Sequence, residues 1–238
     1  DAQRVATPPK DLASLLAFAR ANPGRVTYPE PPNFHGTTFL KHLLLKTAPN
    51  PDVLATPYSK AVFQTQTEPL WAYLDALHPV AWRQGRLFPD SAESMVQLLA
   101  DGELAIGLSF NPNEAANQIA AGRLPATVRT HVHAGGTLGN THFLAIPHNA
   151  SARAAALVVI NTLLSPSWQA EKANPSIWGD PTVLDLARLS AAERAGFVAW
   201  PQSPATLSPD ALGPALPEPH ASWTEALEAA WRARYLAR

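Results

Sequence analysis

The chain has 238 residues, a formal net charge of −1 and no cysteine. That length can bury a substantial core as one large or two small domains, and the missing thiols exclude disulfides, thiolate catalysis and cysteine-type zinc sites. With 46% apolar and 16% charged residues, the composition is that of an ordinary globular protein, without a basic stripe for nucleic acid or the ~18-residue apolar run of a membrane span.

Leu12, Leu15, Leu16 and Ala19 recur at helical spacing after Pro8-Pro9, and Asn22-Pro23-Gly24 ends that predicted helix. Residues 25–28 read as a short strand. Three prolines then crowd into Pro29-Glu30-Pro31-Pro32, and Asn33-Phe34-His35-Gly36-Thr37-Thr38 leads into a helix predicted from about Thr37 to Lys46. A mostly helical region follows over 58–77, with Pro69 expected in a first turn behind Thr67 as N-cap. Asp90 with Glu93 three residues on resembles a capping box for a helix over 91–100, closed by Gly102.

Glu103–Phe110, "ELAIGLSF", is apolar on both faces and predicts a strand covered on both sides, as in a parallel sheet. A loop at Asn111-Pro112 precedes a helix over 113–121. Residues 127–133 place Val128 and Val132 on one strand face and Arg129, His131 and His133 on the other. Another strand is expected over 141–149. Helices are predicted over 152–164, 166–173 and 191–200, an irregular connector over 201–219, and a last helix over 222–235. The fold class read from this alternation is α/β with parallel strands.

In open α/β sheets, ligands sit beyond the carboxyl ends of strands, where helix N-termini present N–H groups. Phe34, His35, Gly36, Thr37 and Thr38 after the first strand fit that position, as do Phe110 and Asn111 after the second. The competing readings are a proline-set turn with a threonine cap for the first, and a core aromatic for Phe110. Gly135, Gly136 and Gly139 lack the spacing of a phosphate loop and suggest a turn or crossing. Among the eight histidines, His131, His133, His142 and His148 have no carboxylate at ligand spacing and no HExxH, so no metal is expected. Ser109 misses the nucleophile-elbow pattern at its last glycine, leaving a hydrolase as the alternative function. No initiator Met or signal peptide is recognisable, so a processed or trimmed chain is expected.

Three stretches together, "NPGRVTYPEPPNF", "GNTHFLAIPHNA" and "WGDPTVLDLARL", are similar to periplasmic solute-binding proteins of ABC importers. The likeness covers nearly the whole chain and is nearest to the YnjB-like branch, whose members are often labelled thiamine-transport proteins. It implies a type II periplasmic-binding-protein-like fold of two α/β lobes, joined by a hinge and closing over a small solute. On this resemblance, 1–139 is most of the second lobe and 140–200 the returning segment of the first lobe. Residues 201–238 are then a connector and closing helix packing on the second lobe, and a complete member carries a further first-lobe segment before Asp1.

The same resemblance makes Phe34–Thr38 a ligand wall and Phe110-Asn111 a strand-end loop with a stacking aromatic. Trp223 becomes a further cleft aromatic, or else a core tryptophan aligned with Leu227 and Trp231. Gly135, Gly136, Gly139 and Asn140 become the hinge crossing. It implies a non-enzymatic periplasmic protein without cofactor, neither nucleic-acid-binding nor itself membrane-spanning. Its partners would be a small solute and an ABC permease in the inner membrane.

Overall fold

The computed structural model describes residues 1–139, 141–174, 176–197 and 203–236. Helix α1 spans Leu12–Ala21 and starts at a reciprocal cap, in which the Asp11 carboxylate accepts from Ser14 N–H and the Ser14 hydroxyl takes the Asp11 N–H. Helix α2 spans Phe34–Thr47 and α3 spans Lys60–Leu77. Helix α4 covers Ala92–Ala100, α5 Glu114–Ala120, and the two-residue strand β1 Thr137–Leu138. Helices α6 (Arg153–Leu163), α7 (Pro166–Ala173), α8 (Ala191–Ala195) and α9 (Pro209–Leu212) follow, then β2 (Ala215–Leu216) and α10 (Trp223–Tyr235).

The larger core lies where α1, α2, α3 and α10 surround Tyr28. Leu40, Leu43 and Leu44 on α2 and Leu70, Leu74 and Leu77 on α3 share helical faces and are fully buried. Trp223, Leu227 and Trp231 follow one another at four-residue intervals and seal it from α10. Each such leucine contributes about 1.5–3 kcal/mol by leaving water. Tyr28 is the polar pin of this core, its hydroxyl accepting from Trp231 Nε1 at 2.7 Å and bonded to His78 Nε2 at 2.7 Å. Burial pushes that phenol well above its ordinary pKa, so it stays neutral. A second core gathers Met95, Leu99, Leu104, Ala115, Ala116, Leu124 and Val128 between α4 and α5.

Several predicted elements come out differently. The expected strands at 25–28 and 103–110 meet in one parallel bridge, Val26 with Ile106, supported by Ala105 N–H donating to Arg25 O at 2.9 Å. Only Leu104 and Ala105 are closed off on both sides; Gly107 and Ser109 are exposed, so the segment is not the doubly covered strand expected. Residues 127–133 and 141–149 form no strand. The former makes only scattered bonds to different segments, Ala2 N–H to Thr127 O, Val128 N–H to Pro125 O and Thr130 N–H to Ala205 O, and apolar residues without a neighbouring edge have no ladder to join. The structure is therefore mainly helical, and its parallel pairing among the described residues is confined to the bridge and to β1–β2.

Pro69 sits inside α3 rather than in a first turn, and the cap is Ser59. Thr67, expected as that cap, is buried with its hydroxyl bonded back to Phe63 O at 2.8 Å. The carbonyl that Pro69 leaves unpaired belongs to Thr65 on the exposed face, where water can serve it, and the leucine stripe holds the helix together. Ser91, not Asp90, caps α4, accepting from Ser94 N–H at 3.1 Å. The supposed irregular connector contains α9 and β2, whereas α8 stops at Ala195; the predicted continuation over 198–200 lies outside the described residues.

Residues 141–197 pack differently from the rest. Helix α6 reads RAAALVVINTL yet buries none of its side chains, and Phe143 stands 87% exposed. Helix α7 is anchored mainly through Gln169, whose amide donates to Leu163 O and accepts from Thr182 and Val183. No helix among the described residues is long and apolar enough to cross a membrane.

Candidate functional site

The proline-rich turn explains itself from its partners. Glu30 N–H donates to Pro89 O at 2.8 Å, and the Asn33 amide donates to Asp90 O at 3.1 Å. The turn, which includes a cis Pro31–Pro32 peptide, is thereby pinned onto the loop before α4. Asn33 is also the N-cap of α2, its side-chain oxygen accepting from His35 N–H at 2.9 Å. The helix thus begins three residues earlier than the predicted Thr37. An asparagine after a proline run was the sequence signal for this cap.

This start places Phe34 on the outside of the first turn, 50% exposed. On the second segment, the Ser109 hydroxyl accepts from Asn111 N–H, and the Asn111 side chain accepts from Asn113 N–H at 2.9 Å. These two local turns bend the chain sharply into α5 and hold Phe110 beside Phe34. The Phe34 and Phe110 ring centroids lie 5.6 Å apart at 74°, while His35 lies 5.5 Å from Phe34 and 5.4 Å from Phe110. Three predicted residues from segments about seventy-five positions apart therefore form one half-open aromatic wall. It lies beyond the carboxyl ends of the Val26–Ile106 pair.

The other predicted residues have different work. A Cβ on Gly36 would overlap the Pro29 carbonyl, so this glycine admits the proline turn rather than a ligand. Thr37 is buried, donating through Oγ1 to Glu228 Oε1 at 2.7 Å on α10, and its N–H already bonds Asn33 O at 2.9 Å. That N–H is therefore not free for a ligand. Thr38 is also buried. Trp223 has no exposed surface, and its Nε1 donates to Thr56 O at 2.9 Å, which makes it a core residue in line with Leu227 and Trp231.

The electrostatics of the wall come from residues that sequence reading passed over. Burial lowers the His35 pKa from its ordinary value, opposed by the Glu114 and Glu93 carboxylates, so the ring is biased toward its neutral form. The Glu114 carboxylate is held by Gln118 Nε2 at 2.6 Å. Aromatic faces with carboxylates near enough to act on His35 can stack on flat rings and attract cations. A separate depression of about 330 Å³, lined by Arg4, Asn22, Arg25, Gly102 and Ala105, lies at the opposite, amino end of the paired segments. Both of its arginines already donate to the Gly102 carbonyl.

At the glycine run, β1 and β2 pair in parallel, Thr137 with Ala215 and Leu138 with Leu216. Gly135 and Gly136 take φ of +76° and +87°, and a Cβ on Gly136 would overlap the Pro214 carbonyl. A Cβ on Gly139 would collide with Ala215. The Lys46 ammonium grips Gly135 O at 2.8 Å. The remaining predicted hinge residue, Asn140, lies outside the described residues.

His131 and His133 are half-buried, and the His133 ring is 5.8 Å from His42, while His142 pairs with Asp180 at 3.4 Å. No group of three or more potential ligands among the described residues is arranged to hold a metal ion.

The chain belongs to the bacterial extracellular solute-binding proteins, whose family model matches residues 1–205. That membership implies a periplasmic-binding-protein-like fold. Among curated proteins it is similar to Protein YnjB of Escherichia coli (strain K12), at 48% identity over 228 residues, 96% of this chain. The chain spans 57% of that relative's length. No solved structure matches it.

Proposed function

We propose that the protein captures a small solute in the periplasm and delivers it to an ABC permease in the inner membrane, without catalysing a reaction. Residues 1–139 form most of one lobe, and 140–200 the returning segment of the other. The observation that carries this reading is the aromatic wall of Phe34, His35 and Phe110 at the carboxyl ends of two parallel segments. Membership of an extracellular solute-binding family supports reading that wall as one face of an interlobe cleft.

The pairing of β1 with β2 supports a hinge at Gly135–Asn140, because two extended segments lying side by side bend together with little repacking. The burial of α10 against α2 supports assigning the last helix to the second lobe. The exposed apolar residues of 141–197 fit a segment whose partners belong to the rest of a first lobe.

The wall's flanking carboxylates favour a cationic heteroaromatic solute, and a thiamine-like molecule satisfies both the charge and the rings. Sugars also stack on aromatic rings and donate hydroxyls to carboxylates, so the charge of the solute is what separates the two classes. No observation favours the hydrolase alternative, since Ser109 is engaged in the turn at Asn111. A thermal-shift screen of the full-length protein against vitamins, polyamines, sugars and metal ions tests the reading, because a bound solute stabilises the native state by mass action. With the stabilising solute in hand, Phe34→Ala and Phe110→Ala should each weaken binding at least tenfold by calorimetry, the scale of one lost stacking contact of about 1.4 kcal/mol. Unchanged affinity in both variants would remove the wall from the binding site.

A further inference from the structure

Two asparagines on α5 reach across to the segment 176–180. The Asn113 side-chain amide donates to the Gly179 carbonyl, and the Asn117 amide donates to the Trp178 carbonyl at 2.9 Å. Gly179 takes φ of +73°, and a Cβ there would press on both asparagines at 3.0–3.1 Å, so this backbone is shaped to be gripped at close range. The gripped segment is stiff on its own side. The Lys172 ammonium bonds Asp180 at 2.7 Å and lies 5.5 Å over the Trp178 ring, whose other neighbour is His142 at 5.4 Å.

The position of this contact gives it meaning. Asn113 caps α5 three residues after Phe110, and its N–H is already tied to Asn111, so the grip is wired directly to the strand-end loop of the aromatic wall. The partner segment lies on the far side of the β1–β2 crossing in the chain. We propose that Asn113 and Asn117 form a polar latch holding the 141–197 unit against the wall, and so set the balance between closed and open lobes. This rests on the two-lobe reading above. With backbone carbonyls as acceptors the opposing segment needs Gly179 for the close approach, while the donors are fixed on the side of the wall. Asparagine serves where aspartate would repel.

The test uses the full-length protein without any solute. The 238 residues here hold no cysteine, so Arg123→Cys and Arg153→Cys, both exposed, take one spin label on each unit. Pulsed electron spin resonance then reads the distance distribution. Asn113→Asp with Asn117→Asp keeps size but removes both donors and should shift the population toward longer distances about tenfold, the scale of two ordinary hydrogen bonds. Asn113→Ala with Asn117→Ala reads the same quantity if the charged pair fails to fold, and should shift it in the same direction. Unchanged distributions in folded variants overturn the latch. Since no solute is needed, a protein that opens on substitution yet binds none of the screened solutes keeps the latch and loses the proposed function. A protein that binds a solute with unmoved distances does the reverse.

Discussion

His42 offers the sharpest quantitative test. It is 8% exposed on α2, its Nδ1 has no hydrogen-bond partner, and its pKa is lowered from 6.5 to about 4. The largest cause is burial, followed by repulsion from His133 and the Lys46 ammonium, both of which disfavour a second positive charge. Above about pH 6.5 the ring is neutral in both folded and unfolded chains and its contribution to stability is complete. As the pH falls, the unfolded chain takes up a proton that the folded one refuses, so stability is lost until the folded ring itself titrates near 4.

At roughly 1.4 kcal/mol per unit, the full loss is about 3 kcal/mol, most of it gone by pH 5. His42→Leu keeps an apolar side chain of similar size on the buried face of α2 and abolishes that titration. Urea unfolding at pH 7.5 and pH 5 should therefore show wild type losing about 2 kcal/mol more than the variant. His131 and His133 are shifted in the same direction, mainly by burial, so both proteins retain some acid sensitivity. Parallel pH profiles for the two proteins would refute the buried-neutral account of His42.

Gly36→Ala should destabilise by roughly 2–3 kcal/mol, an overpacking cost, because the new methyl overlaps the Pro29 carbonyl and neither helix nor proline turn can retreat freely. A shift in denaturation midpoint below about 0.5 kcal/mol would show that the close approach is slack. Tyr28→Phe strands the buried Trp231 N–H and the His78 ring nitrogen from their 2.7 Å partner, and should cost about 1–3 kcal/mol in thermal or urea unfolding. A neutral result there would mean that the core supplies both groups with a substitute for the Tyr28 hydroxyl.

Much of the helical frame was legible because it is local. The three-and-four spacing of Leu12, Leu15 and Leu16 predicted α1, and the four-residue ladder of Trp223, Leu227 and Trp231 marked the buried face of α10. Phe34 and Phe110 were singled out because each follows an extended apolar segment and precedes a helix, a juxtaposition readable from chain order alone. What escaped was whatever depended on a distant partner. Thr37 looked like a ligand hydroxyl until Glu228 appeared opposite it, and Asn113 looked like a helix-start residue until its amide reached Gly179.

Sequence by itself determined most of the longer helices, several of the glycines that close them, and that two strand-end loops carry aromatic side chains. Those properties follow from periodicity and backbone stereochemistry within one or two turns. Tertiary structure decided that Phe34, His35 and Phe110 share a wall, that Trp223 is core, and that the glycine run lies alongside Pro214 and Ala215. Burial and pairing are properties of two surfaces meeting. The residue that covers another is commonly dozens or hundreds of positions away, beyond the reach of any local pattern.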